Sequence, residues 1–111
     1  MATSAVCPYF HYAAQLIGKR WTGAILYALF HDHHRFNDIR TSIPELSDRM
    51  LSERLKELEA AGLVERHVYD DMPVRIEYTL SPKGKALEPI MDALSTWAAN
   101  WVIESDLTRE H

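Results

Sequence analysis

Arg49, Ser52, Glu53 and Lys56 recur at intervals of three and four residues, a spacing that places them on one side of a helix. Their chemistry is that of base-edge and phosphate recognition. Arginine pairs with guanine edges, serine reaches bases or phosphates, and lysine serves the backbone. Met50, Leu51, Leu55, Leu58 and Ala61 fall on the opposite, inward side. The charge pattern alone also describes the solvated face of an amphipathic helix. Arg54 projects at the edge of the apolar side, as an ion-pairing or helix-packing residue.

Other cations extend the candidate surface. Lys19 and Arg20 precede a second helical segment and make either a phosphate clamp or a solubilising pair. Arg35 is a further candidate phosphate contact. Arg75 follows Met72-Pro73-Val74. There it either enters a minor groove or reaches phosphate, or it is a strand-edge cation that discourages aggregation. Asp70 and Asp71 beside it repel phosphate, so only one side of that turn can approach a nucleic acid.

Cys7-Pro8 places a thiol at the start of a helix, where the dipole favours a thiolate and an oxidant sensor becomes chemically available. The alternative is an inert thiol near the N-terminus. As the only cysteine, Cys7 can form a bridge to a second subunit or a mixed disulfide, but no intrachain disulfide. The run His31-Asp32-His33-His34 has metal-binding residue types, but neighbours in one loop seldom converge on zinc, and no metal site is assigned. No glycine-rich phosphate loop, His-Glu-x-x-His or Gly-x-Ser-x-Gly motif is present, so neither catalysis nor a cofactor is expected.

The elements that must carry these residues are legible from periodicity. Pro8 to Ile17 is helical in pattern, with Tyr9, Tyr12, Ala13, Leu16 and Ile17 on one side. Trp21 to Phe30 suits a short helix buried on most sides, and Phe36 to Ser42 a brief one before Pro44. Ser47 is a good N-cap for the helix bearing Arg49, and Gly62 stands where a left-handed stop belongs. The period then changes to two in Val64–Tyr69 and Arg75–Leu80, which predicts a β-hairpin. Ser81-Pro82 opens a final long helix with an apolar stripe through Leu87, Ile90, Met91, Leu94, Trp97, Ala98, Trp101 and Val102. That stripe is large for a monomer of 111 residues to cover internally. The fold class is therefore mainly α with a small β-hairpin, in winged helix-turn-helix order. The helix-turn-helix spans about residues 35–62 and the wing about 64–80, flanked by terminal helices at 8–17 and 82–103.

Composition sets the bounds. The chain has room for one domain, residues 1–111, and its 47% hydrophobic and 25% charged residues are those of a globular protein. The net charge of −4 is unevenly spread. Residues 1–18 carry no Asp, Glu, Lys or Arg; residues 19–85 hold 11 basic and 11 acidic residues; the tail supplies the deficit. Local clusters rather than net charge govern phosphate contact. No apolar run is long enough to span a membrane, and residues 1–6 lack the basic start of a signal peptide, which points to the cytoplasm.

Together these stretches resemble the HxlR-type regulators, relatives of the MarR group. The resemblance runs through Cys7-Pro8, Leu16-Ile17-Gly18-Lys19-Arg20-Trp21-Thr22 and Arg35-Phe36-Asn37-Asp38-Ile39-Arg40. It continues from Met50 to Val64 and from Pro73 to Gly84, covering about residues 7–103. The chain departs from the family in having Gly18-Lys19-Arg20-Trp21 where two glycines usually precede a Lys-Trp pair, and in its histidine-rich loop. The resemblance implies a homodimeric, sequence-specific regulator on double-stranded DNA with a pseudo-palindromic operator. Ser47–Ala61 would be the recognition helix, Val64–Leu80 the wing, and the first and last helices the dimer interface. It also implies that a cysteine at the Cys7 position can sense oxidants or electrophiles in some members. A protein-interaction module that uses the same scaffold without specific DNA binding is the alternative, supported by the acidic tail.

Overall fold

The structure is a computed structural model that describes residues 7–108; the signal-peptide reading of residues 1–6 lies outside them. Four helices come first: α1 (Pro8–Ile17), α2 (Thr22–Phe30), α3 (Phe36–Ser42) and α4 (Asp48–Ala60). An antiparallel hairpin of β1 (Val64–Tyr69) and β2 (Arg75–Leu80) follows, then α5 (Pro82–Lys85), α6 (Glu88–Trp101) and α7 (Glu104–Thr108). The order is that of a winged helix-turn-helix flanked by terminal helices, as expected from periodicity.

The core is built where α2, α3 and α4 meet. Ile25, Leu26 and Leu29 from α2 join Ile39 from α3 and Leu51, Leu55 and Leu58 from α4 in one buried cluster, closed by Ile43, Leu46, Leu63 and Val64. Burying each such side chain contributes about 1.5–3 kcal/mol before conformational entropy is counted. Because Leu51, Leu55 and Leu58 face inward, the Arg49 side of α4 must face out.

Both ends of α4 are set by local chemistry. The Ser47 hydroxyl accepts the Met50 N–H at 3.1 Å. At the other end Gly62 sits at φ +80, its N–H bonds to the Glu59 carbonyl, and the Leu63 N–H bonds to the Leu58 carbonyl. That pair of bonds is a Schellman stop. Val64 pairs with Leu80 and Tyr69 with Arg75, so the hairpin leaves directly from this stop. A short bridge between Arg35 and Glu77, with the Tyr78 N–H on the His34 carbonyl, ties β2 to the start of α3.

Two expectations need correction. The second helix begins at Thr22, and Trp21 precedes it in a left-handed conformation, φ 76. The final helix is not continuous from Pro82. It is interrupted at Ala86-Leu87, restarts as α6, and a separate α7 follows. Pro89 gives the reason: it has no N–H to donate, and its ring would meet the carbonyl of Lys85 in an unbroken helix. At the start of α6 the same proline is tolerated.

The terminal helices are left largely bare. Neither α1 nor α6 contains a buried residue. Tyr9 is 86% exposed, Trp97 56% and Trp101 69%. α6 leans on α2 where Met91 lies over Gly23, and its outer stripe of Ile90, Leu94, Trp97 and Trp101 faces solvent. Among the described residues no helix is long and apolar enough to cross a membrane.

Gly84 is packed against the Leu63 carbonyl so closely that a Cβ would overlap it. Gly84→Ala should therefore destabilise the fold by about 1–3 kcal/mol, as overpacking does, read as a lower urea midpoint at fixed protein concentration.

Candidate nucleic-acid interface

The outward face of α4 carries the predicted set. Arg49 has its side chain 90% exposed, with its Nε 3.4 Å from Glu53 one turn on. Lys56 is exposed and Ser52 half-buried beside them. The Arg49–Glu53 pair is a surface pair of the weak kind, so it leaves the guanidinium available to a stronger partner.

Lys19 lies along the flank of α4, its Nζ 3.1 Å from Glu57. Glu57 also receives Arg54, at 3.3 Å. Arg54 in turn donates through Nε to the Arg20 carbonyl at 2.9 Å, which makes it the packing residue expected at the edge of the apolar side. This bond holds the turn that contains left-handed Trp21, and the Arg20 guanidinium sits over the Trp21 ring at 4.9 Å. Lys19 and Arg20 are thus placed by α4 itself, although they lie more than 30 residues away in sequence.

On the wing side, Arg35 is exposed and its Nε is 3.8 Å from Glu77. Arg75 is more constrained. It bonds to Asp71 at 2.8 Å and Glu77 at 2.5 Å, and its guanidinium stacks on Tyr69 at 4.0 Å. Those hydrogen bonds to Asp71 and then Glu77 hold its pKa above the ordinary arginine value. In the free protein Arg75 therefore braces the wing, and Asp71 is turned toward it.

Two contacts that position the site were not foreseen from spacing. Arg40 bonds to Asp48 at 2.6 Å, linking α3 to the first turn of α4 and fixing the helix-turn-helix angle. Arg66 on β1 lines a cleft with Ser52 and Lys56 of α4. The signal for Arg66 was present: it alternates with Val64 and Val68 and so shares the strand face that meets α4.

The remaining candidates lie elsewhere in the chain. Cys7 is an exposed free thiol at the N-cap of α1, and its side chain makes no capping bond. In the loop, His31 bonds through Nδ1 to the Tyr27 carbonyl and stacks on that ring, while His34 lies 3.5 Å from Asp32. Among the described residues no group of three His, Cys, Asp or Glu is placed to hold a metal ion.

The HxlR-like helix-turn-helix model matches residues 16–106. The chain belongs to the HxlR family. It is 48% identical over 107 residues to the HTH-type transcriptional regulator YvaP of Bacillus subtilis, covering 96% of this chain and 99% of the relative. It is also 40% identical over 107 residues to the HTH-type transcriptional regulator YodB of the same organism, covering 96% of each. Among solved structures, the reduced form of YodB superposes with a TM-score of 0.79 at 42% identity, covering 87% of this chain and 95% of that one. The redox regulator HypR in its reduced form superposes with a TM-score of 0.78 at 36% identity, covering 83% and 91%. This HxlR-family chain is thus a helix-turn-helix transcriptional regulator by sequence and by fold.

The Arg54 bond to the Arg20 carbonyl yields a test. Arg54→Met should destabilise the protein by about 1–3 kcal/mol, because the carbonyl loses its donor while the helix face stays packed. Urea unfolding followed by circular dichroism measures it.

Proposed function

We propose that the chain acts as a cytoplasmic homodimer that binds a pseudo-palindromic site on double-stranded DNA. The carrying observation is the convergence of Arg49, Ser52, Glu53 and Lys56 on the outward face of a helix whose opposite face is buried in the core. In this reading α4 enters the major groove, where Arg49 donates to base edges. Lys19, Arg20 and Arg35 set the register through phosphates. Arg75 exchanges some of its contact with Asp71 and Glu77 for the DNA backbone, or keeps the wing stiff while Arg35 makes that contact.

Dimerisation follows from the bare terminal helices. Tyr9 and Tyr12 on α1 and Leu94, Trp97 and Trp101 on α6 form apolar surface that a second copy would cover. Two-fold symmetry then presents two copies of α4 to half-sites roughly 34 Å apart.

Control by redox state is the further part of this proposal. It draws on the exposed Cys7 thiol and on similarity to HypR, a redox regulator, and to YodB, solved in reduced, diamide-treated and quinone-bound forms. With one cysteine in the chain, oxidation joins Cys7 to the partner's thiol or to a small thiol, two electrons and two protons passing to the oxidant. A quinone instead takes the thiolate as a nucleophile at carbon, forming a thioether.

Arg49→Ala should weaken binding to the DNA upstream of the chain's own gene by about 1–3 kcal/mol, with little effect on a random duplex. Equal losses on both duplexes, measured by fluorescence anisotropy, would reduce Arg49 to a phosphate contact. Cys7→Ser should bind that DNA as the wild type does, and diamide should no longer change its affinity.

A further inference from the structure

We infer that the cleft between α4 and β1 is a phosphate site that grips the DNA backbone beside the base-reading face. This rests on the DNA-binding reading above and adds Arg66 to it. The cleft has a volume of about 300 Å³ and is lined by Ser52, Leu55, Lys56, Glu59, Arg66 and Tyr78.

Its two cations differ from most others on this side of the protein; Arg20, stacked over Trp21, is likewise without a carboxylate partner. Lys19, Arg35, Arg40, Arg49, Arg54 and Arg75 each have a carboxylate within 3.8 Å. Among the described residues, Lys56 and Arg66 have no ion-pair partner. Glu59 also lines the cleft and pairs with neither.

The convergence is imposed by the fold. Strand alternation puts Arg66 on the face of buried Val64, and the register sets it opposite Tyr78. The Schellman stop aims that face at α4, where Ser52 and Lys56 stand one turn apart. Two unpaired cations from separate elements, in a cleft that Ser52 and Tyr78 also line, supply donors and charge for an oxyanion. Because Ser52 and Lys56 also belong to the outward face of α4, an anion held here is continuous with DNA lying on that face. A free phosphorylated small molecule offers the same chemistry, so a test must separate the two sources.

The experiment is an anisotropy salt series on the intact protein with the upstream duplex and a random one. Arg66→Gln should lower the log–log salt slope by about 1 and weaken both duplexes by the same factor. Arg66→Lys should keep the wild-type slope. A duplex with a neutral methylphosphonate at the contacted position should bind the wild type more weakly, with no further loss in Arg66→Gln. Glu59→Gln, an exposed change that protects against misreading a folding defect, should tighten both duplexes equally.

An unchanged slope in Arg66→Gln, an altered preference between duplexes, or no tightening in Glu59→Gln would overturn the assignment. Inorganic phosphate that shifts the Arg66 and Lys56 side-chain resonances while the Arg66→Gln slope stays at the wild-type value would give the cleft to a free phosphate instead. A wild type that binds neither duplex would remove the DNA-binding reading as well; a wild type that binds beside an unaffected Arg66→Gln would remove this inference alone.

Discussion

The joint at Ala61–Leu63 is the constraint on which the rest of the molecule depends. Three successive carbonyls there are claimed by one short segment of the chain. Lys83 Nζ donates to Ala61 at 2.8 Å, the Ser81 hydroxyl to Gly62 at 2.5 Å, and the Ser81 N–H to Leu63 at 3.0 Å. The same Ser81 oxygen accepts the Gly84 N–H and caps α5. One knot of hydrogen bonds thus fixes where α4 ends, where the hairpin starts and returns, and how the chain leaves toward α6. Gly62 permits it by taking a positive φ, and Gly84 by having no Cβ. α4, the hairpin and α5 are therefore held as one body.

Charge has a second organising role. Most cations near α4 and the wing are held by carboxylates, and several of those carboxylates serve two partners. Glu57 takes both Lys19 and Arg54, and Glu77 takes both Arg35 and Arg75. Shared acids orient the guanidinium and ammonium groups: the exposed Lys19–Glu57 pair is of the kind that contributes about 0–1 kcal/mol, whereas Arg54 and Arg75 are more covered. In the proposed complex, phosphates would compete for the same groups and meet side chains already oriented. A net charge of −4 is therefore compatible with a DNA-facing surface, because the acids are distributed to orient cations as well as to offset them.

Much of the architecture was legible in the sequence because its signals are local. Ser47 and Gly62 bracket α4 within a few residues of their bonding partners, and the change from helical to alternating pattern marks the hairpin. The family resemblance was legible for the same reason, as a run of short motifs in fixed order. What periodicity did not disclose depends on distant partners or on a competing rule. The apolar stripe from Leu87 to Val102 concealed the break before Pro89, because hydrophobic spacing continues across it. Trp21 adopts its left-handed conformation in a turn braced by Arg54, 33 residues further on. Arg66 needed the hairpin register and the approach of β1 to α4 before its place in the cleft could be seen. The outward face of α4 was readable as a pattern; the distant partners of Lys19 and Arg35 were readable only in three dimensions.

The measurement that most directly tests the account is the affinity of the wild-type protein for the DNA upstream of its own gene and for a random duplex, at about 50 and about 200 mM salt. Tighter binding to the upstream duplex, falling steeply with salt on both, is the predicted result. Weak binding to both, with little dependence on salt, would contradict it and leave the winged scaffold as a surface for another protein.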